Sequence, residues 1–219
     1  LSREFAREHS ERLWKQLAVV PGESADARAT GRTEAVVAFG LAVLAAIAVK
    51  APALFGLDIK GNPAFYLRNA ALFVLPPLAA YFTWKRRLDI GLVLRWALPA
   101  FAAAALFANV YPFAPRGSTQ ALTALPLPTL LWLAVGVAYA ASRWREVAGR
   151  MDFIRFSGEL FIYYVLIALG GGVLTGFMAI IFEAIDVDIE PFFESWLVPC
   201  GAMGAVLIAS WLVEAKQSV

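Results

Sequence analysis

Arg155-Phe-Ser-Gly-Glu159-Leu-Phe-Ile-Tyr163-Tyr164-Val-Leu-Ile-Ala-Leu-Gly170-Gly171-Gly172-Val-Leu-Thr-Gly176-Phe-Met-Ala-Ile-Ile-Phe182 decides how the chain folds. The stretch is apolar, charged only at its start, and carries three consecutive glycines at its middle. About 20 apolar residues at 1.5 Å rise per residue cross a bilayer. This run is longer than that and is expected to span a membrane. Composition extends the inference to the whole chain. Of 219 residues, 60% are hydrophobic and 16% charged, with mean hydropathy +0.67. A soluble domain is nearer half apolar and a quarter charged. The excess comes in blocks, which points to an all-α, polytopic membrane protein.

Six blocks suit spans, at about 34–55, 64–84, 92–113, 121–141, 156–182 and 195–213. Short connections make them three successive hairpins of one transmembrane domain, 34–215. Ahead of it, residues 1–20 place Phe5, Leu13, Trp14, Leu17 and Val20 at helical spacing among charges. This fits an amphipathic cytoplasmic helix, lying either on the membrane or on the protein. Pro21-Gly22 is expected to end that helix, and residues 21–33 to form a small, polar linker. Residues 216–219 form a cytoplasmic tail. The chain begins at Leu1 and stops at Val219 without an evident terminal signal, so a piece of a longer protein is expected.

Basic residues fix the expected orientation. With the N-terminus inside, the inner loops hold Arg28, Arg32, Lys85, Arg86, Arg87, Arg95, Arg143, Arg145, Arg150, Arg155 and Lys216, which is 11. The outer side holds only Lys50, Lys60, Arg68 and Arg116, which is 4. The excess of Lys and Arg on cytoplasmic loops therefore selects both termini on the cytoplasmic side. Trp84, Trp96, Trp144 and Trp196 fall near the membrane–water boundaries that indole favours.

Residues 155–164, Leu166 to Gly176, and Ile181-Phe182-Glu183-Ala184-Ile185 resemble a bacterial membrane-protein family, the domain of unknown function 4153. Tyr66-Leu67-Arg68-Asn69 through Trp84 looks like the same family. The resemblance covers most of residues 34–215. It implies a polytopic inner-membrane protein with no assigned activity, often longer than this chain, and carries over no catalytic residue.

Several residues are candidates for function. Gly170, Gly171, Gly172 and Gly176 each cost about 1 kcal/mol relative to Ala in a helix. They serve either close helix packing, with Gly172 and Gly176 as a small-xxx-small pair, or a hinge at the midplane. Pro76 and Pro77 remove backbone donors inside span two and bend it. Glu159, one turn into span five, either pairs with Arg155 at i, i+4 or forms a proton or cation site with Tyr163. Lys50, Arg68 and Asn69 either snorkel or make a small basic pocket for an anionic headgroup or solute. Asn109 is a polar group near the end of span three. Five carboxylates between Glu183 and Glu194 lack the glycine and ligand order of a calcium loop.

Catalysis is not expected. Ser157, Ser195 and Ser210 have no histidine partner, because the single His9 lies in the N-terminal tail. The single Cys200 forms no internal disulfide, and no metal or cofactor motif is present. A net charge of +2 does not suggest nucleic acid. The expected surroundings are the lipid bilayer, including an anionic lipid or small solute, and either a second copy of the chain or another membrane protein. Two functions follow. One is a permease-like protein handling lipid or a small solute. The alternative is a non-transporting membrane anchor or assembly subunit.

Overall fold

A computed structural model of the chain describes residues 21–110 and 126–217, with side chains from Thr30 onward. The expected N-terminal helix over 1–20, the outer loop around Arg116 and the last two residues of the tail lie outside the described residues. The described chain is helical, with no strand. The helices are α1 (Pro21–Lys50), α2 (Pro63–Lys85), α3 (Ile90–Val110), α4 (Pro126–Ala140), α5 (Val147–Glu183) and α6 (Val198–Gln217). Single helical turns at Glu190–Phe192 and Phe193–Leu197, the second of π type, lead directly into α6. Four of these stretches are long and apolar enough to cross a membrane: Thr30–Phe55, Val93–Val110, Val147–Glu183 and Glu190–Lys216.

The chain divides between Val36 and Val37 into two units, and the bundle described below belongs to the second. Residues 21–33 differ from expectation, because they are helical rather than a linker. Proline at the first position of a helix loses a hydrogen bond that position never makes, so Pro21 is compatible with helix. At its far end α1 tightens into a 3₁₀ turn, Ala51–Phe55, closed by Gly56 at φ 80°. Only glycine reaches that conformation without a steric cost.

On α1 small residues face inward and large apolar ones face outward, the reverse of a water-soluble helix. On α1 the buried positions are Ala38, Ala42, Ala45 and Val49, spaced 4, 3 and 4. That spacing keeps one stripe on one side of a helix. Gly204 of α6 approaches this stripe, so a Cβ there would sit 3.7 Å from that of Ala42. Phe39, Leu44 and Ile47 point away into open surroundings. A soluble monomer rarely exposes apolar patches of this extent. In lipid the same surface is satisfied.

α2 sits at the centre, packed against α3, α4 and α6. Its Leu78, Tyr81 and Phe82 are fully enclosed. Its composition keeps it out of the four most apolar stretches, since it carries Arg68, Asn69 and two prolines. An aromatic cluster joins it to α4 and α5. Phe82 meets Tyr139 edge-on at 5.1 Å and Phe156 at 5.2 Å, and Tyr139 stacks on Phe156 at 4.7 Å. Such pairs contribute about 0.5–1.5 kcal/mol each beyond their burial. Gly136 makes room for Phe153, whose ring would lie 2.6 Å from a Cβ placed there.

The α4–α5 connection is equally tight. Ala141 adopts φ 54°, a 3₁₀ turn follows over Ala141–Arg145, and the Arg143 carbonyl sits where a Cβ of Gly149 would be. Beyond that turn α5 begins well before the expected span. Its first turns bury Gly149, Phe153, Phe156 and Leu160 on one side.

Candidate functional site

Charged and polar side chains gather at two opposite ends of the bundle. At one end are the C-terminus of α2, the start of α5 and the C-terminus of α6. Glu214 is 4% exposed there, within 3.3 Å of the Lys85 ammonium and 3.1 Å of the Arg86 guanidinium. Arg86 also donates to the second Glu214 oxygen at 3.3 Å, and its guanidinium carbon lies 4.9 Å from the Tyr139 ring centre. One guanidinium nitrogen, Nη2, thus bridges both carboxylate oxygens while the guanidinium plane rests by an aromatic ring. Glu159 accepts from Arg155 Nε at 3.0 Å and lies 3.6 Å from the Lys216 ammonium. Two acids from α5 and α6 are thus each held between two cations, one of them from the end of a neighbouring helix or of the same one.

A pocket of about 390 Å³ opens beside these pairs, lined by Arg86, Tyr139, Ser142, Arg143, Asp152 and Arg155 among others. Its arginines are largely neutralised. Arg143 pairs with Asp152 at 3.2 Å and Glu146 at 3.5 Å, while Arg86 and Arg155 hold Glu214 and Glu159.

At the opposite end, the candidates separate into two structural ties. Asn69, 4% exposed, donates to the Asn109 side-chain oxygen at 3.0 Å, and Asn109 donates back at 2.8 Å. Each amide also donates to a carbonyl one turn earlier in its own helix, Phe65 and Ala105, both at 2.9 Å. This reciprocal pair joins α2 to α3 and satisfies the buried Asn69 amide. Lys50 goes elsewhere. Its ammonium donates to the Ser195 carbonyl and lies 4.2 Å from the Trp196 ring centre. The residue four places after Ser195 is Pro199, which has no N–H, so that carbonyl has no ordinary helical donor. Lys50 supplies one, and α1 is pinned to the start of α6. Sequence reasoning listed Lys50 without this partner, although the Ser195–Pro199 spacing was its signal.

The remaining contacts at that end are superficial. Lys60 pairs with Glu194 at 2.7 Å, and this hydrogen bond with Glu194 raises the Lys60 ammonium above its usual pKa. Asp58 and Asp188 each cap a nearby backbone N–H, of Gly61 and Glu190. Among the described residues no three metal-ligating side chains cluster.

The serines are fully employed in their own helices. Ser157, Ser195 and Ser210 each donate to the carbonyl four residues earlier. Ser157 additionally accepts from the Trp132 indole at 3.2 Å. Tyr163 is half-buried against the core, while Glu159 is engaged with Arg155 and Lys216.

α5 passes through Gly170, Gly171 and Gly172 as a continuous helix. A Cβ at any of these positions, or at Gly176, would meet nothing within 4 Å. The most apolar part of this helix buries no residue among those described. Among the described residues the glycines therefore pack against nothing, and the helix shows no break at them. α2 likewise continues through Pro76 and Pro77.

Set against protein-family models, curated proteins and solved structures, the chain matches none of them.

Proposed function

We propose that this is a six-span protein of the bacterial inner membrane with both termini in the cytoplasm. Within that membrane it acts as a non-transporting anchor or assembly subunit. The observation that carries the proposal is the second half of α5. Leu169, Val173 and Phe177 project freely there, and the glycines between them leave open space on a helix with no buried window. In lipid, glycine gives close backbone approach and interhelical contact, while an unpartnered helix gains only the cost of its flexibility. A transmembrane helix of a second copy of the chain is the reading that gives these glycines a use. The polar groups at the helix ends support it as well, because Asn69, Asn109, Lys50, Glu159 and Glu214 are spent on ties between helices. The resemblance to the domain of unknown function 4153 is part of this proposal and assigns no activity, and no catalytic role is proposed.

One observation favours the permease-like reading, in which lipid or a small solute is handled. This is the arginine-lined pocket at the Glu214 end. One experiment separates the two. Leu169→Cys, Val173→Cys and Gly176→Cys are made singly in a Cys200→Ser background and oxidised in native membranes. The assembly reading predicts a cross-linked product from at least one position and no labelling of these positions by a water-soluble thiol reagent. Labelling along this stretch would instead show a watery path. Neither cross-link nor labelling would leave the helix facing lipid alone and overturn the assembly reading.

A further inference from the structure

Lys85, Arg86 and Arg87 are adjacent in sequence but do different things. Lys85 and Arg86 turn inward to Glu214. Arg87 takes φ 49°, which reverses the chain and sends it outward. Among the described residues no carboxylate pairs with its side chain. The nearest acid in sequence, Asp89, accepts the Gly91 N–H at 3.0 Å and so caps the start of α3. Arg87 lies at the mouth of a groove of about 670 Å³ between α2 and α3, with Trp84 beside it. The groove's floor is Pro76, Ala80, Ala97 and Phe101, and its lining is almost wholly apolar. Small side chains on both helices leave this hollow, and Pro76 at its deep end brings no N–H to it.

The dimensions suit one leaflet. From Val93 to Phe101 the groove follows α3 for about 12 Å at 1.5 Å per residue. One leaflet contributes about 15 Å of hydrocarbon, half of a core of about 30 Å. A cation and a tryptophan then stand at the level of the headgroups. Two other apolar grooves face the lipid, one between α3 and α4 and one between α5 and α6. Neither has a charged residue in its lining. At the α2–α3 groove a hollow, an unpaired cation and an interfacial ring occur together.

We infer that this groove is a binding site for an anionic phospholipid, with one acyl chain between α2 and α3 and the phosphate on Arg87. Basic sites between transmembrane helices on the cytoplasmic side favour anionic headgroups in general. Here Arg87 supplies the charge recognition, and the apolar floor supplies the chain recognition. The site lies away from the open half of α5 and does not depend on the assembly reading.

The test uses the full chain purified in mild detergent, with bound lipid counted by native mass spectrometry. Phosphatidylglycerol and phosphatidylcholine of the same chain length are titrated separately. The expected result is at least 10-fold tighter retention of phosphatidylglycerol, unaffected by inorganic phosphate in excess. Arg87→Gln should remove that preference, while Arg87→Lys should keep most of it. Ala80→Phe, which fills the groove and leaves the charge, should weaken both lipids. Equal retention of the two lipids by the wild type, displacement by inorganic phosphate, or wild-type binding in either Arg87→Gln or Ala80→Phe would overturn the inference. Both of those positions are on the lipid-facing surface, so folding is monitored by the thermal transition of each variant.

Discussion

Replacing Glu214 with alanine is expected to lower the stability of the bundle by about 3–5 kcal/mol, read as a fall in the thermal midpoint of the purified protein. Glu214 is 4% exposed and accepts from two cations, of which Lys85 is itself only 13% exposed. Removing the acid leaves two positive charges facing each other with little water to solvate them. A charge so stranded is far costlier than the net worth of the pair it belonged to. The same reasoning makes a second expectation. The triple variant Glu214→Leu, Lys85→Met, Arg86→Met removes all three charges and should recover most of the loss, because apolar replacement of a buried ion pair is often neutral. The single and triple variants should therefore be strongly non-additive, as groups in one network are. A triple variant as unstable as Glu214→Ala would show that the helices are held by something other than charge compensation.

The second large effect is expected at Gly149. A Cβ there would lie 2.3 Å from the Arg143 carbonyl oxygen, and backbone has nowhere to move inside the short α4–α5 turn. Gly149→Ala should cost about 3 kcal/mol, at the upper end of ordinary overpacking. Gly171→Ala provides the contrast. Nothing lies within 4 Å of its Cβ position, so within one chain the change exchanges a poor helix former for the best one. It should leave the isolated protein as stable as the wild type or more so, by about 1 kcal/mol. If a partner helix docks on this face, the same substitution should weaken the association. Thermal unfolding of both variants, side by side, distinguishes a glycine required by its own fold from one the fold leaves open.

These contrasts show what could be read in the sequence and what could not. The helices themselves were legible, because apolar blocks of bilayer length and their basic ends are local properties. Expected spans near 64–84 and 156–182 correspond to α2 over Pro63–Lys85 and the apolar part of α5 over Val147–Glu183. The early start of α5 was missed. Residues 147–155 carry three charges, and a helix that begins outside the greasy block has no hydropathy signal. Residues 21–33 differ for a related reason: their polarity reads as a linker, whereas the segment is helical.

The site was legible one residue at a time and illegible in pairs. Asn69 and Asn109 were each recognised as unusual polar groups, yet their separation of 40 residues hid that they satisfy one another. Lys50 and Ser195 are 145 residues apart, and only the donor missing at Pro199 hinted that a carbonyl there wanted a partner. Glu214 was passed over because the last span was drawn to end at Val213, one residue short of the acid. Its buried position comes from α2, which ends beside it, and nothing local to Glu214 encodes that. The three glycines were recognised as costly, but whether a Cβ has room is a property of neighbours, not of the helix.

The central claim is that the Glu214 end of the bundle faces the cytoplasm and the Lys50 end faces away from it. Single cysteines at Ile59, Val187, Asp89 and Ser142, in a Cys200→Ser background, test it in intact cells with a membrane-impermeant thiol reagent. The account predicts that Ile59→Cys and Val187→Cys label in intact cells, while Asp89→Cys and Ser142→Cys label only after the membrane is opened. Labelling of Ile59→Cys and Asp89→Cys from the same side would contradict it.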